Sequence, residues 1–114
     1  MTTREDRIID KQQHMAGGKG YVCIDHLLNE QQLDNKCGLF AQVTIAAGDS
    51  LGYHEHHQET ETYYIISGQG NYQDNDQVYP VKAGDVVFCK DGDGHGIENS
   101  GNEDLVFMAL IIKK

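Results

Sequence analysis

The stretch GDSLGYHEHHQETETYYIISG, residues 48–68, places three histidines and three glutamates within eight positions, His54 to Glu61. A metal site, a catalytic acid–base cluster and a crowded polar loop all have this composition. What separates them is which side chains point the same way. On a strand, residues two apart share a face, so His54 and His56 point together while Glu55 and His57 point to the opposite side. The step from His56 to Glu61 has the wrong parity for one continuous strand. A break around residues 58–60 lets Glu61 open the next strand and turn back toward the two histidines. From there Tyr63 and Ile65 share its face, giving an apolar lining behind a polar entrance.

Outward from this stretch, alternation dominates helical spacing. YVCIDHLL (21–28), GLFAQVTI (38–45), ETYYIIS (61–67), DVVFC (85–89) and LVFMALII (105–112) are rich in β-branched and aromatic residues. Turn-forming clusters separate them, and Asp74-Asn75-Asp76 reads as a hairpin turn. Short strands at near-regular spacing predict an all-β sandwich or small barrel. The one proline, Pro80, is expected near a strand end. TREDRIIDKQQH (3–14) and LNEQQLDN (28–35) are the two segments with helical potential, the second for a single turn. In the last strand Leu105, Phe107, Ala109 and Ile111 form one apolar face, and Val106, Met108, Leu110 and Ile112 form another. A strand apolar on both faces needs cover on both, so a further layer or a second subunit is expected there.

The 114 residues are enough for one domain with one core. Nine basic side chains against eighteen acidic give a formal net charge of −9 with no basic run. Nucleic acid and anionic membrane surfaces, which are bound through clustered Lys and Arg, are therefore not expected partners. No apolar stretch approaches membrane-spanning length, and the polar start does not read as a secretory signal. Cys23, Cys37 and Cys89 are widely spaced without a C-x-x-C, which predicts reduced thiols in a cytoplasmic protein.

Other readings of the histidine cluster fare worse than a metal site. His-Glu-x-x-His, the zinc-protease helix, fails because Gln58 stands where the second histidine should be. His14, His26 and His57 read as surface residues. A second stretch, GDVVFCKDGDGHGIEN (84–99), contains a strand, a glycine-rich turn and the lone His95, a third imidazole for a mixed nitrogen–oxygen site.

Together the two stretches resemble the cupin superfamily. The first family motif is met by Gly48, His54, His56, Glu61 and Gly68, and the second by Gly84, Gly92, His95 and Asn99, all at the family's spacings. Lys90 stands where the family usually has proline, a departure that touches a turn and not the ligand set. The resemblance implies a double-stranded β-helix (jelly-roll barrel) over residues 21–114, preceded by an N-terminal arm over 1–20. It also implies that His54, His56, Glu61 and His95 hold one divalent transition metal per chain. Imidazole and carboxylate suit Fe, Mn, Ni, Co, Cu or Zn, so ligand type does not select the ion.

Because this fold hosts many chemistries, the function expected is broad. The first expectation is a metal-dependent oxidoreductase of the dioxygenase type acting on a small organic molecule. Its alternatives are a non-enzymatic module that binds a small ligand or metal, and a sugar isomerase or epimerase. A homodimer is expected. Tyr53, Tyr63 and Tyr64 are candidate hydrogen-bond donors to a ligand, although packing is the ordinary role of such residues. Gln42 and Thr44 either line the pocket or face solvent. Gly17-Gly18-Lys19-Gly20 lacks P-loop spacing and reads as a turn.

Overall fold

The alternating segments form ten strands. In chain order they are β1 (Ile9–Gln13), β2 (Tyr21–His26), β3 (Cys37–Ile45), β4 (Ser50–Glu55), β5 (Glu59–Ser67), β6 (Gln69–Asp74), β7 (Gln77–Lys82), β8 (Val86–Cys89), β9 (Gly94–Asn99) and β10 (Leu105–Lys113). A single helical turn, α1 (Glu30–Leu33), follows the Asn29 cap, whose side chain accepts from the Gln32 N–H. This is a computed structural model, and it describes residues 2–114. The strands pair antiparallel in two sheets, ordered β1-β2-β3-β10-β5-β8 and β4-β9-β6-β7. The architecture is the jelly-roll double-stranded β-helix. No helix among the described residues is long and apolar enough to cross a membrane.

The core lies between the inner faces of the two sheets. Ile45, Tyr63, Ile65, Leu105 and Phe107 are fully buried there, with the Tyr63 and Phe107 ring centroids 4.4 Å apart. Asn99 is buried among them and leaves no polar group idle. Its amide donates to the carbonyls of Ile45 (2.8 Å) and Glu103 (2.7 Å), and its side-chain oxygen accepts from the Gly101 N–H (2.9 Å). The motif asparagine is thus a clamp that ties three chain segments together. The motif glycines Gly48, Gly68, Gly84 and Gly92 all have positive φ. At Gly68 a side chain is doubly excluded, because a Cβ would also lie 2.4 Å from the Asp104 carbonyl oxygen.

Several expectations are refined here. Residues 3–14 do not form a helix. A 3-10 turn at Arg4–Asp6 leads into β1, which pairs with β2, and Arg7 grips Asp25 through two 2.9 Å hydrogen bonds. With only Ile8 and Ile9 to bury, a helix had no adequate apolar face, whereas the β2 edge offers backbone partners. Pro80 lies within β7 rather than at its end, and β7 is an edge strand, where proline is tolerated. Gln42 and Thr44 face outward, in register with Met108 and Val106. Cys23 and Cys37 are half-buried and Cys89 is buried, all as free thiols, and burial pushes the Cys89 thiol up to about 11.

Candidate metal centre

His54 reaches the interior through a local irregularity in β4. Leu51 is buried against the core and pairs with Ile97, while His54 pairs with His95, so β4 spends three residues where β9 spends two. Without that extra residue, Leu51 and His54 would point to opposite faces; the bulge inverts the parity and brings both inward. Beyond it the alternation holds. Glu55 and His57 are exposed and contact each other at 3.1 Å, while His56 is buried. The break needed before Glu61 occurs at Gln58, with a φ of 67°.

His56 is fixed by the second motif. Its N–H donates to the Asp93 carbonyl (3.0 Å), and its carbonyl accepts from the Gly92 N–H (2.7 Å). The turn is closed by Asp93 N–H to Lys90 C=O, and Gly92 at φ 91° supplies the left-handed residue. Lys90 contributes only its carbonyl to this closure, so proline is dispensable there.

Glu61 comes from β5 of the six-stranded sheet, His95 from β9, His54 from β4 just after the bulge and His56 from one residue past the end of β4, so the site bridges both layers. All three Nε2 atoms converge on Glu61 Oε1, at 2.8 Å from His56, 3.0 Å from His95 and 3.9 Å from His54. The ring centroids form a near-equilateral triangle of 4.9, 4.7 and 4.9 Å. One donor atom from each of the four residues lies within 4.8 Å of the others, close enough for a single metal ion.

The opposite ring nitrogens are tethered. His54 Nδ1–H donates to the Gly52 carbonyl (2.8 Å) and His56 Nδ1–H to the Glu59 carboxylate (2.5 Å). His95 Nδ1 meets the Tyr72 hydroxyl at 2.7 Å. A carbonyl and a carboxylate can only accept, so these bonds place a proton on Nδ1 and leave Nε2 as the atom of His54 and His56 turned toward Glu61, the one a metal ion would take. Burial would raise the Glu61 carboxyl, but hydrogen bonds from the three imidazoles outweigh it and hold the group well below the usual carboxylate range. The bond to Glu61, reinforced by Glu59, raises His56, whereas burial lowers His95.

A cavity of about 140 Å³ opens beside the cluster. His54, His56, Glu61 and Tyr63 line one side, and the remaining wall is apolar, including Met15, Leu39, Val43 and Phe107. The three candidate tyrosines separate here. Tyr63 is buried at the cavity, with its hydroxyl 3.4 Å from His95 Nε2, whereas Tyr53 and Tyr64 are exposed on outer faces. Glu59 and Tyr72 escaped the sequence reading. Nothing in strand alternation marks a residue that acts through the far side of a ligand ring.

The cupin domain model matches residues 41–111. This chain belongs to the cupin family. It is 48% identical over 99 residues to the oxalate-binding protein of Thermotoga maritima, covering 87% of this chain and 82% of that protein. It is also similar to (S)-ureidoglycine aminohydrolase of Escherichia coli, at 35% identity over 75 residues, which is 66% of this chain but only 28% of that enzyme. Among solved structures, a predicted oxalate decarboxylase from Thermotoga maritima superposes with a TM-score of 0.94 at 42% identity, covering 100% of this chain and 99% of that one.

The Glu59 tether makes a specific prediction. Glu59→Gln keeps size but replaces the anionic acceptor behind His56, so metal affinity should fall by about 10–100-fold. Competition with a chromophoric chelator measures this, and the melting temperature of the metal-free protein should change little. Unaltered affinity in that variant would reduce Glu59 to a surface hydrogen bond.

Proposed function

We propose that His54, His56, Glu61 and His95 hold one divalent transition metal, and that this cupin binds a small bidentate dicarboxylate of the oxalate type at it. The observation that carries this reading is the cavity. At about 140 Å³, against ~300–1,000 Å³ for sites that take drug-sized ligands, it suits a small ligand. It is also without a cationic side chain among the described residues that line it. An anion entering an apolar space in a chain of net charge −9 needs a positive partner. A divalent ion balanced by one carboxylate and three neutral imidazoles leaves the site one positive charge and supplies Lewis acidity toward carboxylate oxygens.

Tyr63 completes the recognition. Burial raises its phenol well above the ordinary range, so it stays protonated. The Tyr63 hydroxyl, at the cavity and 3.4 Å from His95 Nε2, would be placed to donate to an oxygen of a ligand held by the metal. Among the described residues the titratable groups lining the cavity are His54, His56, Glu61 and this neutral phenol, with no further carboxylic acid or lysine to shuttle protons. That favours binding over turnover. It also leaves little room for an organic substrate and dioxygen together, as the dioxygenase reading requires, or for a sugar. The names of the Thermotoga maritima relatives, an oxalate-binding protein and a predicted oxalate decarboxylase, support the ligand class and not the choice between binding and turnover. The free thiols support the expected cytoplasmic setting.

The expected partner of the chain is a second copy of itself. On the outer face of the six-stranded sheet, Phe40, Leu110, Thr62 and Phe88 lie in one register row, and Gln42, Met108, Tyr64 and Val86 in the next. Across β3, β10, β5 and β8 neither row carries a charge, and the second meets one only at its β2 end, where Asp25 is paired with Arg7. For two chains that repel each other elsewhere, this uncharged apolar face is the favourable place to meet.

Two outcomes follow. Calorimetric titration with oxalate should give saturable one-to-one binding to metal-loaded protein and none to metal-free protein, with no oxygen uptake. Substrate-dependent oxygen consumption would instead restore the dioxygenase reading. Leu110→Lys should convert a dimer, seen by light scattering, to a folded monomer, and a monomeric wild-type protein at micromolar concentration would contradict the pairing.

A further inference from the structure

Seven residues between β1 and β2, His14 to Gly20, lie as a strap against β4. Its backbone approaches closer than any side chain would permit. A Cβ on Gly18 would lie 2.2 Å from the Ser50 carbonyl oxygen, and one on Gly52 would lie 2.0 Å from that of Ala16. Ser50 closes the contact from both directions, with its N–H donating to the Lys19 carbonyl (2.8 Å) and its hydroxyl accepting from the Lys19 N–H (2.9 Å). Within the strap His14 and Ala16, neither of them glycine, both have a φ of 53°, in the left-handed region. They flank Met15, the one strap residue that lines the cavity beside His54, His56 and Glu61. Such conformations persist only where the surroundings dictate them, and what they accomplish here is to turn Met15 inward from an otherwise exposed loop.

We propose that Met15 is a specificity-determining residue that closes the cavity and limits the metal-held ligand to a two-carbon dicarboxylate. This rests on the anion-binding reading above. The strap seats on Gly52, whose carbonyl also orients His54, so the closing wall is referenced to the same backbone as a metal ligand. A thioether side chain is well suited to this place: it is uncharged, fills irregular space and offers a carboxylate no competing hydrogen bond. A ligand one methylene longer must displace it.

The test uses the manganese-loaded full chain and compares oxalate, malonate and succinate by calorimetry in wild type, Met15→Ala and Met15→Leu. Wild type should prefer oxalate over malonate, and Met15→Ala should lower that preference by roughly ten-fold, the scale on which one methylene is discriminated in an apolar pocket. Met15→Leu, which conserves volume, should keep the preference. Metal stoichiometry should stay at one per chain in all three, which reports the site independently of ligand binding. An unchanged preference in Met15→Ala overturns this inference and leaves the proposed function standing. Wild-type protein that holds metal but binds none of the three anions overturns the proposed function and this inference with it.

Discussion

The structure depends on placing one carboxylate, Glu61, in the interior between two sheets. Glu61 is 4% exposed, and a buried charge without partners costs on the order of 3–5 kcal/mol when one side of its pairing is removed. The chain meets this cost with three imidazoles, His54 and His56 from the same stretch and His95 from the second motif, so the same interaction that satisfies Glu61 also joins the layers. His95 and Glu61 are 34 positions apart, yet their contact is 3.0 Å. A cupin barrel whose halves meet at such a point gains a donor set for a metal without any dedicated element.

Two departures from regular strand geometry make the convergence possible. The bulge before His54 reverses the parity of β4, and the left-handed Gln58 reverses it again before Glu61. Each inserts a residue where pairing would otherwise send a ligand to solvent. The turn at Lys90–Asp93 then pins His56 by its backbone on both sides. Rigid elements thus aim the four candidate ligands, while Gly52, Glu59 and Tyr72 engage the far nitrogen of each imidazole. An engineered site with the four ligands but without these tethers would leave the rings free to rotate.

Much of this was legible in the sequence, and the limits are instructive. Period-two alternation showed that His54 and His56 share a face and that His57 does not, and the wrong parity of Glu61 required a break close to where Gln58 supplies it. The spacing of the two motifs brought in His95. What alternation could not show is anything decided by a partner strand. The bulge at β4 is visible only against β9, and the inward turn of Met15 only against Gly52. Gln42 and Thr44 were undecided because a polar pair on an apolar strand suits a pocket or an outer face equally, and only pairing with β10 assigns them outward. β1 was ambiguous because an edge strand with few apolar residues carries little signal of its own.

The central claim is that the two motifs meet at one metal, and metal content of the purified variants tests it directly. His95→Ala should lose nearly all bound metal by elemental analysis, since it removes the ligand contributed by β9. His57→Ala should retain one equivalent, since that side chain lies on the solvent side of the strand. Metal retained by His95→Ala and lost from His57→Ala would contradict the account, because the ion would then be held by the exposed face of the histidine cluster and not by the site between the sheets.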